Sequence, residues 1–132
     1  LSDGLRAYVE RFYATWNDND KAGWLENIRA VASGEPAIED PVGTPPKRGM
    51  AMIEELWDRT GKDHFKTQVH QQLDCGDEIA VVCLTEGEHA GRSYTIWSVD
   101  VHQLRGDALA IRSYWEIPTG MPYGEWTAAH GE

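Results

Sequence analysis

The sequence predicts a segregated α+β domain: three N-terminal helices packed on a curved antiparallel sheet. Three observations carry this. Apolar residues recur at helical spacing through the N-terminal half. From Thr67 onward they alternate or form short β-rich runs. The connections between those runs are short turns, so successive strands pair antiparallel.

Each element has its own signature. Leu5, Val9, Phe12 and Trp16, flanked by Tyr8 and Tyr13, place a first helix over about 3–17, with Ser2 or Asp3 as its cap. Asn17-Asp18-Asn19-Asp20 breaks it, and Asp20 caps a second helix carrying Trp24, Leu25, Ile28 and Val31. Ser33-Gly34-Glu35-Pro36 stops that helix. Residues 37–40 form a short strand, and 41–46 a stiff Pro-rich loop. A third helix spans about 49–60 with Met52, Ile53, Leu56 and Trp57 inward, and Gly61-Lys62-Asp63 ends it. Strands follow over 67–74, 78–85, 91–104 and 108–117, with turns at 75–77, 86–90 and 105–107. The segment after Pro118 is irregular and reads as a pocket lid, a dimer arm or a loose tail.

A chain of 132 residues fits one domain, 1–132, and 41% hydrophobic with 26% charged residues is ordinary globular composition. Six tryptophans are more than the core of so small a domain needs, and they suit an aromatic-lined cavity or a subunit interface. The net charge of −10, with 12 basic residues scattered among 22 acidic ones, argues against nucleic acid or an anionic membrane as partner. No stretch reads as a membrane span or a secretion signal, and a cytoplasmic location is expected. Cys75 and Cys83 are expected on neighbouring strands, where a bridge is open to them and two reduced core thiols are the favoured reading. His64, His70, His89, His102 and His130 are dispersed, so no metal and no cofactor is expected.

Two carboxylates stand out. Asp40 ends a strand before Pro41, where a rigid loop holds it. A carboxylate fixed at an apolar cavity gains basicity by desolvation and can act as a general base, although Asp before Pro is also a common turn residue. Asp100 lies mid-strand, sharing a face with Tyr94, Ile96, Ser98 and His102, while Trp97, Val99 and Val101 share the other. Alternation alone puts the more apolar face inward and Asp100 in solvent. With both faces covered, Asp100 would instead be kept protonated and donate a hydrogen bond. On the next strand Ser113 and Trp115 share a face and could line the same cavity.

The run Ile38-Glu39-Asp40-Pro41-Val42-Gly43-Thr44-Pro45-Pro46-Lys47-Arg48-Gly49 resembles the strand–loop of bacterial ketosteroid isomerases, within the nuclear-transport-factor-2-like and SnoaL-like superfamily. Residues 11–20, 99–106 and 111–115 are similar to their counterparts in the same order. The resemblance implies the cone-shaped fold, Asp40 as catalytic base and Asp100 as the protonated acid of an oxyanion hole. It reverses the solvent-facing reading of Asp100. It implies a substrate pocket of Phe12, Tyr13, Trp16, Trp57, Ile96, Ser98, His102, Ser113 and Trp115. Matched without a gap, Phe12 falls at the oxyanion tyrosine, Tyr13 lies one residue or roughly 100° of helix away, and Trp57 replaces a supporting tyrosine.

The implied activity is proton transfer on a small hydrophobic, steroid- or polyketide-like molecule, by a homodimer whose outer sheet face carries Trp97, Val99 and Val101. The Asp-Pro-Val-Gly-x-Pro-Pro run and Ser113-Tyr114-Trp115 are also similar to epoxide-opening cyclases of polyether biosynthesis. The Arg two residues before Asp of limonene-epoxide hydrolases is absent, Ser98 standing there. A non-catalytic carrier of hydrophobic ligands is a third reading.

Overall fold

A computed structural model describes residues 2–61, 65–89 and 91–116. The helices are α1 (Ser2–Asn17), α2 (Lys21–Val31) and α3 (Met50–Gly61). The strands are β1 (Ala37–Glu39), β2 (Lys47–Arg48), β3 (Lys66–Cys75), β4 (Glu78–His89), β5 (Arg92–Arg105) and β6 (Ala108–Trp115). The irregular tail, the end of the last strand at Ile117, Lys62 and Asp63 lie outside the described residues.

Local chemistry sets the helix ends. The Asp20 carboxylate accepts a 2.9 Å hydrogen bond from the Gly23 amide, capping α2 as expected. A Cβ at Gly23 would lie 2.2 Å from Asp20 Oδ2, so a larger residue there would make the Asp20 carboxylate shift. Gly49 turns the chain into α3 at φ 86°, a conformation open to glycine.

The six strands form one unclosed sheet in the order β2-β1-β6-β5-β4-β3. β3 to β6 are the expected antiparallel meander, and a register shift between Val69 and Gln71 bends β3. The sheet is nevertheless mixed, because β1 joins β6 in parallel. β2, unforeseen, follows the Pro-rich loop directly and pairs antiparallel with β1. The expected turn at 86–90 is mostly strand: β4 runs to His89 and β5 resumes at Arg92. Cys83 is buried as expected, whereas Cys75 is exposed at the end of β3; both thiols are free.

The core joins the three helices to the sheet. Leu5, Tyr8, Val9 and Tyr13 of α1, Trp24, Leu25 and Ile28 of α2, and Ile53, Leu56 and Trp57 of α3 meet Ile79, Val81 and Ile111. Met52, expected inward, is exposed on α3. Among the described residues no helix is long and apolar enough to cross a membrane.

Candidate active site

Sheet register assembles the site. Glu39 is abreast of Arg112 in the parallel β1–β6 pair, so Asp40, one residue on, arrives beside Ser113. The Val42 amide donates to the Ser113 carbonyl at 2.8 Å and keeps the Asp40 loop on β6. Ser113 is also the direct partner of Asp100 across the β5–β6 ladder. Ser113 thus stands between the two carboxylates singled out in the sequence.

Asp100 is held on both oxygens. Tyr13 donates to Oδ2 at 2.6 Å, and Ser113 donates to Oδ1 at 2.5 Å. The Cys83 thiol lies 3.7 Å from Oδ2, and the Trp115 indole N–H donates to Ser113 Oγ at 2.9 Å. Behind Tyr13 stands His102, whose Nε2 is 2.8 Å from the Tyr13 hydroxyl and whose Nδ1 is 3.2 Å from the Tyr8 hydroxyl. The Phe12 ring meets the His102 ring edge-on at 4.9 Å.

Asp40 differs from Asp100 in one respect. Its Oδ1 is buried without a hydrogen-bond partner. Burial, and next the charge of Asp100, push its carboxyl up to about 7. Hydrogen bonding to Trp115, the Lys47 charge and hydrogen bonding to Ser113 pull the other way. Burial lowers His102 to about 4 against the opposing charge of Asp100, so its ring is neutral at physiological pH. Burial and then the Asp100 charge raise Tyr13 and Tyr8 well above the usual phenol range, and both keep their protons.

A carboxyl near neutrality with one open oxygen, beside a second carboxyl, can take or give a proton at physiological pH. The SnoaL-like domain profile matches residues 9–112, spanning most of the chain and both carboxylates. The chain belongs to the SnoaL-like family. Solved structures agree on the fold. One is the epoxide hydrolase/cyclase-like enzyme SalBIII of pyran ring formation in polyether salinomycin. It is 20% identical over 89% of this chain and 95% of its own, with TM-score 0.75. A computationally designed 17-OHP binder is 17% identical over 86% and 92%, with TM-score 0.72. An LEH-like epoxide hydrolase from M. tuberculosis is 17% identical over 83% and 80%, with TM-score 0.66. At these identities the likeness establishes the cone-shaped, nuclear-transport-factor-2-like fold, a scaffold that carries binders as well as enzymes.

On this SnoaL-like scaffold the expected residues fall into three groups. Asp40, Asp100, Tyr13, Ser113, Trp115 and His102 form the polar network. Ile96 and Ser98 are buried on the same inward face of β5. Phe12, Trp16 and Trp57 belong to an aromatic cluster with Trp24, in which Trp16 and Trp57 ring centroids are 4.9 Å apart.

The helical rotation that separated Tyr13 from the tyrosine position does not keep it from Asp100, because the buried arc of α1 is wide enough to include Leu5, Tyr8, Val9 and Tyr13. Tyr13 thus reaches Asp100 from the residue next to Phe12, which the gapless match set at the oxyanion tyrosine. Both nitrogens of His102 are engaged by tyrosines, which puts it behind the carboxylate. Tyr8, Lys47 and Cys83 were not foreseen here. Tyr8 was visible as an inward-leaning phenol on α1, whereas Lys47 and Cys83 carried no local signal.

Proposed function

We propose that this protein is a cofactor-independent acid–base enzyme acting on a small, largely apolar molecule of steroid or polyketide kind, with Asp40 moving the proton. The observation that carries this is the buried, unpartnered Asp40 Oδ1. A buried acceptor left open is costly, by about 1–3 kcal/mol, unless something that binds there uses it. A proton-bearing group of the substrate would.

In the ionised form, Asp40 takes a proton from carbon next to a carbonyl and returns it to another carbon, as in ketosteroid isomerases. The developing oxyanion needs donors, and the three of the Asp100 network are each engaged at rest, the Tyr13 and Ser113 hydroxyls on Asp100 and the Trp115 indole N–H on Ser113, so one would have to turn to the substrate. Asp100 donates only when protonated and with one of its accepted bonds given up, since both its oxygens accept in the resting site. The apolar cluster of Phe12, Trp16 and Trp57 would exclude water and strengthen these bonds.

Epoxide opening is the second reading, favoured by the Asp40 carboxyl at about 7. Its protonated form is well populated at neutral pH and could protonate an epoxide oxygen while a neighbouring group activates the attacking hydroxyl. The outer sheet face, with Leu73, Trp97, Val99 and Tyr114 exposed, suits a homodimer.

The test follows conjugated-enone absorbance after adding a β,γ-unsaturated 3-ketosteroid, beside an epoxy-alcohol whose ring opening is followed by chromatography. Enone formation by the parent and its loss in Asp40→Asn supports isomerase chemistry. Epoxide opening lost in the same variant supports the second reading. Turnover that survives Asp40→Asn undamaged overturns both.

A further inference from the structure

The Tyr13 hydroxyl has one hydrogen and two close partners, Asp100 Oδ2 at 2.6 Å and His102 Nε2 at 2.8 Å. If that hydrogen goes to Asp100, the contact with His102 is a hydrogen bond only when Nε2 carries the proton. A neutral imidazole has a single N–H, so Nδ1 must then accept, and the Tyr8 hydroxyl 3.2 Å away must donate to it. The three assignments fix one another.

The surroundings of His102 keep the ring neutral and still. It is 0% exposed. Its cross-strand neighbours are Ile79 on β4 and Ile111 on β6, both buried and apolar. From α1 it meets the edges of Tyr8, Phe12 and Tyr13, at centroid distances of 5.5, 4.9 and 5.6 Å. The titratable groups around it are Tyr8 and Tyr13 from α1 and Asp100 on its own strand, with Cys83 of β4 beside Asp100.

We infer that His102 is a positioning residue which, as the Nε2–H tautomer, aims the Tyr13 hydroxyl proton at Asp100, forming a directed chain Tyr8 → His102 → Tyr13 → Asp100. The chain holds the Asp100 carboxylate from behind while Ser113 holds it from the side of Asp40. Reversing it is unfavourable. If Tyr13 turned its hydrogen to Nε2, Nδ1 would carry the ring proton, and the buried Tyr8 hydroxyl would lose its acceptor. The catalytic consequence rests on the proposed acid–base reading; the tautomer does not.

The deciding measurement is long-range 1H–15N NMR of histidine-labelled protein. The expected result is a neutral His102 protonated on Nε2 from pH 6 to 8, with Tyr13→Phe moving the Nε2 resonance and Tyr8→Phe the Nδ1 resonance. An Nδ1–H tautomer or an imidazolium overturns the inference, whatever the activity.

In the ketosteroid assay, His102→Leu should lower kcat about tenfold, the equivalent of one lost hydrogen bond, with KM little changed. His102→Gln, whose amide can both donate and accept, should recover most of that loss. A His102→Leu enzyme with unchanged kcat and pH profile, alongside an inactive Asp40→Asn, overturns the positioning role and leaves the proposed function standing. Full activity in Asp40→Asn overturns the proposed function and leaves the tautomer to be judged by NMR.

Discussion

The two faces of β5 reverse the usual order of polarity. Ser98, Asp100 and His102 face the helices and are buried, Asp100 at 9% exposure and His102 at 0%. Trp97 and Val99 face outward at 41% and 37% exposure. A strand in an ordinary half-buried sheet would do the opposite. The inward face tolerates this because almost every polar atom there meets another: Tyr13 and Ser113 on Asp100, Trp115 on Ser113, Tyr8 and Tyr13 on His102. Asp40 Oδ1 is an exception, and it is the open acceptor on which the proposed proton transfer rests. Among the described residues the Trp24 indole N–H of α2 is likewise buried without a partner, enclosed among aromatic rings.

If the inner face is a working network, disrupting it should matter far more than disrupting the outer one. Asp40→Asn is the largest expected effect. Turnover should fall by about 10²–10⁴-fold, the usual contribution of a positioned general acid or base. The same change should stabilise the fold at pH 8 by up to about 4 kcal/mol. The folded carboxyl at about 7 lies above its ordinary value, so the native state binds the extra proton and loses stability as pH rises from about 4 to 7. Thermal melts of parent and variant should therefore converge below pH 4. A destabilised variant at pH 8 would break the comparison.

The pH dependence sharpens it. His102 is lowered to about 4, so between there and its ordinary range the unfolded state binds the extra proton and stability rises with pH. This opposes the Asp40 slope over much of the same window, and the two contributions nearly cancel. In Asp40→Asn the His102 slope stands alone, and urea titrations should show stability rising by about 3 kcal/mol from pH 4 to 6.5. A flat profile in that variant would mean that His102 is solvated.

Ser113→Ala comes next. It removes a donor to Asp100 Oδ1 and the acceptor of Trp115 Nε1, and should destabilise the fold by about 1–3 kcal/mol. Denaturant midpoints measure this, and no change would mean that water replaces the hydroxyl. On the outer face, Trp97→Ser and Val99→Thr should each shift the stability of the isolated chain by less than about 0.5 kcal/mol. A concentration-dependent loss in these variants, seen by sedimentation, would instead place a second copy on that face.

Much of this was legible in the sequence. The helices and the four long strands follow from periodicity and turn residues, and the Asp20 cap from its place before the Trp24 pattern. What escaped depends on long-range pairing. Nothing local shows that Ala37–Glu39 will lie parallel to β6, or that Lys47–Arg48 will become a strand. The inward turn of Asp100 was hidden from alternation, which reads polarity where here the polar face is the covered one, and was legible only through the family resemblance. Tyr13 was expected in the pocket, but its bond to Asp100 was not: a gapless match gives one residue per position, whereas the wide buried arc of α1 lets this phenol reach the carboxylate. The segments outside the described residues, including the tail after Pro118, leave their expected lid or dimer role with the sequence alone.

The central claim is that Asp40 is a buried proton-transfer group and not a turn residue. A 13C NMR titration of the aspartate carboxyls, with the Asp40 signal assigned by its loss in Asp40→Asn, tests this without any substrate. The expected midpoint is about 7. A midpoint at about 4, the ordinary carboxylate range, would show a solvated side chain and contradict the account.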